Sequence, residues 1–465
     1  MYMSHTECNP RIIPDLSASS TTHMEAGAKR EAMSSSLGTE ADQEHNGSAY
    51  TIAATAHAVD TDSWQQVGLL LVTSFNCAYV LSFSNLMLVP LGWGWGIACL
   101  LIVAAAAWYA NWLLAGLHVI DGQRFIRYRD LMGFCLRKMY YITWSLQFSI
   151  QLLGNMGFIL LGARALKAIN VELSHSPARL QWFIPGTGTV FFAFSYLVPT
   201  ISAMRKWLAM TVAYDVTLLA ILVKDGKSNR QKDYGVHGSP AEKAFNALGA
   251  VAAILVCNTS GMLTEIQSTL RSPAVRNMRR ALAVQYTAGA AAYYGVSAAG
   301  YWAYGSAVLE YLPDQLGGPR WAVVLINAAA FLQSVVSQHM FTAPVHEALD
   351  TRLQRLHEGT SSRYNLTRRL CARGLVLAFN VLVAALLPFM GDFVNLFGSF
   401  ALVPLTLVFP SMIVLKINGK SRGRWSRIWH WGIIAVSTVL GVATTAAAVR
   451  LIFHNARVYH FFADM

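Results

Sequence analysis

Between about residues 64 and 453 the sequence is a succession of apolar runs, each roughly 18–25 residues long and set apart by short charged segments. A helix of that length spans the ~30 Å hydrocarbon layer of a bilayer. It also satisfies its backbone hydrogen bonds internally, which lipid cannot do for it. The chain is therefore expected to be an all-α integral membrane protein. Composition agrees: 13% of the 465 residues are charged, about half the fraction usual in soluble domains, and mean hydropathy is +0.40.

Eleven spans are predicted: 64–88, 93–119, 140–169, 183–200, 207–223, 244–266, 281–304, 321–344, 375–388, 393–414 and 429–453. The first ten divide into two halves of five, about 64–223 and 244–414, with the eleventh helix added after them. Residues 62–465 would form the transmembrane domain. Residues 1–61 are polar, lack the apolar core of a signal peptide, and read as a disordered cytosolic tail.

Basic residues give the orientation. With the amino terminus in the cytosol, 25 of the 36 Lys and Arg fall on the tail and cytosolic loops and 11 on the external side. This positive-inside bias predicts a cytosolic amino terminus and an external carboxyl terminus. The external loop from Lys224 to Lys243 runs against the trend, softened by Asp225, Asp233 and Glu242. The net charge of +12 is thus scattered over short loops, and no basic helix suggests a nucleic-acid partner. Cys8, Cys77, Cys99, Cys135, Cys257 and Cys371 fit no zinc spacing, and neither a metal site nor a disulfide framework is expected. The sequons at Asn46 and Asn365 fall on the cytosolic side and that at Asn258 at membrane depth, so none should carry glycan.

Two spans are not uniformly apolar. The first contains Thr73-Ser74-Phe75-Asn76-Cys77-Ala78-Tyr79-Val80-Leu81-Ser82-Phe83-Ser84-Asn85, and the sixth Cys257-Asn258-Thr259-Ser260-Gly261-Met262, followed by Glu265 and Gln267. Small polar side chains compete with the helical backbone for hydrogen bonds, and Gly261 adds conformational freedom. These spans occupy corresponding places in the two halves, the arrangement of an inverted-repeat transporter. Free amides at one break suit a carboxylate and carbonyls at the other an ammonium, so a zwitterion suits the gap. Tight helix packing through Ser, Asn and Gly is the competing reading, and Gly154, Gly157 and Gly162 of the third span fit packing better.

Several stretches are shared with a known family. They include Ala78-Tyr79-Val80-Leu81, Val89-Pro90-Leu91-Gly92-Trp93, Ile126-Arg127-Tyr128-Arg129-Asp130-Leu131 and Arg137-Lys138-Met139-Tyr140. Further on come the Asn258–Gln267 segment, Gly300-Tyr301-Trp302-Ala303-Tyr304-Gly305-Ser306, Leu349-Asp350-Thr351-Arg352, Leu387-Pro388-Phe389 and the terminal His460-Phe461-Phe462-Ala463-Asp464. Over residues 62–465 the chain resembles the plant amino acid/auxin permeases, and among them the proline transporters. The resemblance implies eleven helices in the fold of the amino acid/polyamine/organocation carriers, a 5+5 inverted repeat plus one helix. It implies proton-coupled uptake of proline, with glycine betaine and 4-aminobutyrate (GABA) as co-substrates, at the plasma membrane. A GABA-preferring or broader permease is the nearest alternative. Ser82-Phe83-Ser84-Asn85 stands where the family reads Gly-Tyr-Ser-Gly, and Thr264 where it has proline, departures that bear on substrate preference.

The candidate substrate-binding residues are Ala78, Tyr79, Ser82 and Phe83 at the first break and Asn258, Thr259, Ser260 and Gly261 at the second, with Trp302. The backbone from Ala78 to Ser82 is the expected carboxylate seat. Tyr79, Phe83 and Trp302 are expected to offer an aromatic face, which meets the cations of both proline and betaine; ordinary packing is the alternative for each. Glu265, Asp215 and His339 are the candidates for proton coupling or gating. Asp130, Arg127 and Arg129 are candidates for a gate network, or simply a positive-inside loop. The proton serves as coupling ion and no cofactor is expected. The partners implied are a small zwitterion, protons and lipid. No enzyme motif is evident. A channel and a substrate-sensing receptor are the functional alternatives, and the oligomeric state stays open.

Overall fold

The computed structural model describes residues 59–75, 78–198, 209–228, 232–258, 261–309, 311–316, 319–354, 362–386, 396, 398–418 and 423–456. The predicted polar tail lies outside the described residues except at 59–61.

The described residues are almost entirely helical. The first apolar run becomes α1 (Trp64–Phe75), α2 (Ala78–Ser82) and a 3₁₀ turn, Ser84–Met87. The second is α3 (Gly92–Gly116). A two-stranded antiparallel hairpin follows, β1 (Val119–Ile120) and β2 (Gln123–Arg124), and then the short helix α4 (Tyr128–Cys135). Next come α5 (Met139–Leu173), α6 (Leu180–Leu197) and α7 (Ala209–Ser228). The sixth run is α8 (Pro240–Asn258) and α9 (Leu263–Ser268). The seventh is α10 (Ala274–Val284), a π turn over Gln285–Gly289, and α11 (Ala290–Tyr304). The rest is α12 (Arg320–Leu353), α13 (Arg363–Leu386), two π turns over Gly398–Leu402 and Pro404–Val408 leading into α14 (Phe409–Asn418), and α15 (Arg424–Ala456). Among the described residues seven helices are long and apolar enough to cross a membrane.

Several helices outrun the apolar runs that announce them. α12 continues past Pro344 to Leu353, and α13 begins at Arg363 rather than near 375. The added turns are charged. A helix keeps its backbone bonds beyond the hydrocarbon layer, where such side chains are hydrated or, like Asp350 and Arg373, paired.

α5 and α12, of 35 and 34 residues, pack along one another, and with α6 and α13 they form a four-helix scaffold. α1 packs on α10, and α7 on α11. Lipid is as apolar as leucine, so burial alone gives these helices little reason to associate. Close packing and interhelical hydrogen bonds, each ~1–2 kcal/mol or less, do that work. One buried ion pair ties the scaffold: Arg373 of α13 donates to Asp350 of α12 at 2.6 Å and to the Ser195 carbonyl of α6 at 2.6 Å.

Buried apolar residues fall into two cores. Val67, Leu70 and Leu71 of α1 share one with Met262, Leu263 and Ile266. Val80, Leu81, Met87 and Leu88 share the other with Ala253, Ile254, Leu255 and Cys257. The first and sixth runs therefore pass from one core to the other in opposite directions. Each changes core where its polar residues interrupt the apolar pattern.

Candidate functional site

The sixth run is interrupted at a defined place. α8 ends at Asn258, Gly261 has φ +66°, and α9 starts at Leu263. Positive φ costs a residue with a side chain ~1–2 kcal/mol, which is why glycine stands here. A Cβ at Gly261 would also meet Leu402 at 3.3 Å and Leu405 at 3.5 Å, on the paired π turns of the tenth run. Thr259 and Ser260 lie outside the described residues.

The Gly261 carbonyl accepts from Nε2 of Gln147 at 2.8 Å. The same nitrogen donates to Oε1 of Glu265 at 3.1 Å, and the Tyr128 N–H donates to that oxygen at 3.2 Å. Glu265 is thus bound into a buried network that joins α9, α5 and the start of α4. Tyr128 also donates its hydroxyl to the Leu405 carbonyl at 2.7 Å. On the other side of the interruption, Asn258 donates Nδ2 to the Ile254 carbonyl, while its own carbonyl accepts from the Tyr286 hydroxyl at 2.9 Å. Tyr286 in turn accepts from Asn111 Nδ2 at 2.8 Å, and Tyr294 donates to Asn258 Oδ1 at 3.3 Å. Asn258 therefore closes the end of α8 against α3 and the seventh run.

In the first run, α-helix gives way to the 3₁₀ turn after Ser82. The backbone of Ala78 and Tyr79 belongs to α2; their side chains lie outside the described residues. Ser82 is fully buried and shares a hydrogen bond of 2.8 Å with the Tyr214 hydroxyl of α7. Phe83 packs on Tyr311, with ring centroids 5.7 Å apart. Tyr311, Leu312 and Leu316 belong to the same buried core as Leu81. Among the described residues these contacts pack this end of the molecule.

The other end is open. A cavity lined by Arg129, Trp144, Gln147, Phe148, Glu265 and Arg352, among others, lies between α5, α9 and α12. Beside it Arg127 pairs with Glu347 and donates to Thr351 Oγ1 at 3.2 Å. Asp130 lies outside the spans, and burial raises its carboxyl against the opposing pull of Arg129 and Arg127.

The structure places Ser82 and Phe83 just past the crossing of the first run and Asn258, Gly261 and Glu265 at that of the sixth, with Trp302, Asp215 and His339 on other helices. Trp302 packs on Gly226 with Lys232 over its ring at 4.1 Å, at the carboxyl end of α11. Asp215 follows Tyr214 on α7 and is half-buried, with Oδ1 making no hydrogen bond among the described residues. His339 is buried in the scaffold, edge-on to Phe194 and 6.2 Å from the His346 ring. Gln147 was not among the candidates. Its signal was an amide repeated at Gln151, four residues on, within an apolar run. Among the described residues no cluster of His, Cys, Asp and Glu could hold a metal.

This architecture is that of an inverted-repeat secondary transporter. The chain resembles a manganese transporter of Eremococcus coleocola, with 14% identity and a TM-score of 0.55 over 87% of this chain and 92% of that one. It also resembles a nucleobase-cation-symport-1 family transporter in a closed conformation with bromovinylhydantoin bound (13% identity, TM-score 0.55, 87% and 95% of the two chains). At such identities the likeness is one of fold. Residues 60–450 match the family described as "Transmembrane amino acid transporter protein", and the chain belongs to that family. GABA transporter 1 of Arabidopsis thaliana is 27% identical over 424 residues, 87% of this chain and 93% of the relative. Lysine histidine transporter-like 1 of the same plant is 26% identical over 390 residues, 80% and 84% of the two. The protein is a multi-pass membrane protein of an amino acid transporter family, and these relatives are transporters rather than enzymes.

Proposed function

We propose that this chain is a proton-coupled symporter that carries proline, with glycine betaine and GABA as further substrates, into the cell by alternating access. Eleven helices cross the plasma membrane in this reading, with the amino terminus cytosolic and the carboxyl terminus external. The observation that carries it is that the first and sixth runs pass between the two cores in opposite directions, each changing core where polar residues interrupt it. Unwound peptide groups persist at membrane depth only around a polar ligand or a protein-lined cavity. Amides at Ala78–Ser82 meet the substrate carboxylate. Carbonyls and hydroxyls from Asn258 to Gly261 face the ammonium.

The contacts Ser82–Tyr214 and Phe83–Tyr311 close the external path, and the cavity at Glu265 opens to the cytosol. The arrangement is inward-facing. Of the proton candidates Glu265, Asp215 and His339, Glu265 is the one hydrogen-bonded into the helix interruption among the described residues, through Gln147. Linkage supplies concentration: protonation that favours substrate must be favoured by substrate equally.

A GABA-preferring carrier is the second reading. GABA transporter 1 is 27% identical, and Ser82 and Asn85 stand where the proline carriers have glycine. Radiolabelled proline uptake at an acidic and a neutral external pH, with betaine and GABA competing, tests both. Faster uptake in acid and an inward current with proline are expected. Proline uptake indifferent to pH and membrane potential would refute proton coupling, and GABA outcompeting proline would favour the second reading.

A further inference from the structure

The cavity between α5, α9 and α12 holds more than a path to solvent requires. Its walls carry two guanidinium groups, Arg129 and Arg352, and one carboxylate, Glu265, beside the rings of Trp144 and Phe148. Its cavity volume is about 70 Å³. Neighbouring charges are engaged elsewhere, Arg127 with Glu347 and Arg373 with Asp350. Arg129 is different. It is half-buried, and its charge acts on Asp130 and Glu265 without a hydrogen bond or close ion pair among the described residues. Tyr128 fixes its place, because the Tyr128 N–H is bonded to Glu265 and its hydroxyl to Leu405. A cation and a carboxylate are thus held on the walls of one largely apolar cavity.

We propose that this cavity is a second, release-side seat for the transported zwitterion, with its carboxylate on Arg129 and Arg352, its ammonium on Glu265 and its carbon skeleton against Trp144 and Phe148. The inference rests on the inward-facing carrier proposed above and extends it with a binding site between the helix interruptions and the cytosol.

The chemistry is selective. Opposite charges on the walls replace the water lost by both ends of a zwitterion. An amino acid with an added side-chain cation meets an excess of guanidinium and is disfavoured. The seat is also wired to the interruption. Gln147 bonds both Glu265 and the Gly261 carbonyl, so an ammonium arriving at Glu265 competes for the bond that steadies the unwound backbone. Occupancy of the seat therefore loosens the upper site as substrate leaves it.

The test separates the two faces of the full-length chain expressed in oocytes. Radiolabelled proline, or GABA if that is what the wild type imports, is injected to measure the internal half-saturating concentration for efflux. External KM is measured on the same batch. Arg129→Gln should raise the internal constant about tenfold or more and leave external KM within about twofold, since a charge-assisted hydrogen bond is lost on one face only. Arg129→Lys should recover much of the loss, and injected lysine should not compete in the wild type. Arg352→Gln, at an exposed position, should shift the internal constant in the same direction, and it carries the test if Arg129→Gln fails to reach the surface. Equal shifts on both faces, a shift in external KM alone, or no shift would overturn the seat. Absence of uptake by the wild type would instead overturn the proposed function.

Discussion

Nε2 of Gln147 lies 2.8 Å from the carbonyl oxygen of Gly261, bridging 114 positions of sequence to hold a peptide group of the sixth run whose backbone is turned to positive φ. Gln147→Leu would keep the bulk and remove the donor. Two acceptors would then lose a partner in a buried place, the Gly261 carbonyl and Glu265. Each such loss costs about 1–3 kcal/mol. Transport should fall at least tenfold (about 1.4 kcal/mol) while surface delivery is retained. Uptake normalised to surface-biotinylated protein measures this, and unchanged turnover would show the bridge to be incidental.

Gly261→Ala should impair transport for a different reason. The φ of +66° is strained for any residue with a Cβ, by about 1–2 kcal/mol. The contact with Leu402 at 3.3 Å adds a steric part. The double variant Gly261→Ala/Leu402→Ala separates them, since it relieves the clash and leaves the backbone strain. Transport should stay depressed in the double variant. Full recovery would mean that the glycine serves only close packing.

How far these features could be read in advance depends on their range. The helices were legible because apolar runs of membrane length have one solution in lipid. Their charged extensions, such as Arg363–Arg373 at the start of α13, were not, because hydropathy registers the solvent rather than the helix. The interruption around Asn258–Gly261 was legible from local composition. Its partners were not: Gln147 looks like one amide in an apolar helix, and Tyr214 meets Ser82 across 132 positions. Trp302 carries the signature of a cavity aromatic, yet its ring lies on Gly226, whose missing side chain makes room for it. Which face of a helix an aromatic uses is set by the neighbour, and the neighbour is absent from local sequence.

The scaffold should depend sharply on Asp350 and Arg373, paired at 2.6 Å and both buried. Removing one partner of such a pair leaves an uncompensated charge and typically costs about 3–5 kcal/mol. Asp350→Ala should therefore lower the melting temperature of detergent-purified protein or abolish its surface delivery. Asp350→Leu/Arg373→Met removes both charges and should recover much of the loss. A double variant no more stable than the single one would mean that Arg373 matters chiefly through its bond to the Ser195 carbonyl.

A pH-dependent clamp joins the two interrupted runs on the open side. Residues just before α1 pair with those just after α9: the Asp62 N–H donates to the Thr269 carbonyl at 2.8 Å, and the Arg271 N–H to the Asp62 carbonyl at 3.0 Å. Arg124 braces this junction, with both oxygens of Asp60 within 2.9 Å of Nη1 and the Ser268 carbonyl 3.2 Å from Nη2. His118 lies two residues beyond α3, which ends at Gly116, short of the predicted 119, and accepts from Arg124 Nε at 2.9 Å. That bond requires a neutral imidazole. Burial, and then the Arg124 charge, hold the His118 pKa down at about 3, against 6.5 ordinarily. Between those values the unfolded chain takes up a proton that the folded chain refuses. His118 therefore leaves stability intact above about pH 6.5 and withdraws it as the pH falls towards about 3, by at most about 1.4 kcal/mol per pH unit. His118→Gln offers Arg124 an acceptor that does not titrate. Thermal melts of purified protein across this window should show a shallower loss of stability in acid for the variant than for the wild type, with the two converging near neutrality. Parallel curves would show that His118 protonates freely in the folded protein and that the clamp is indifferent to acid.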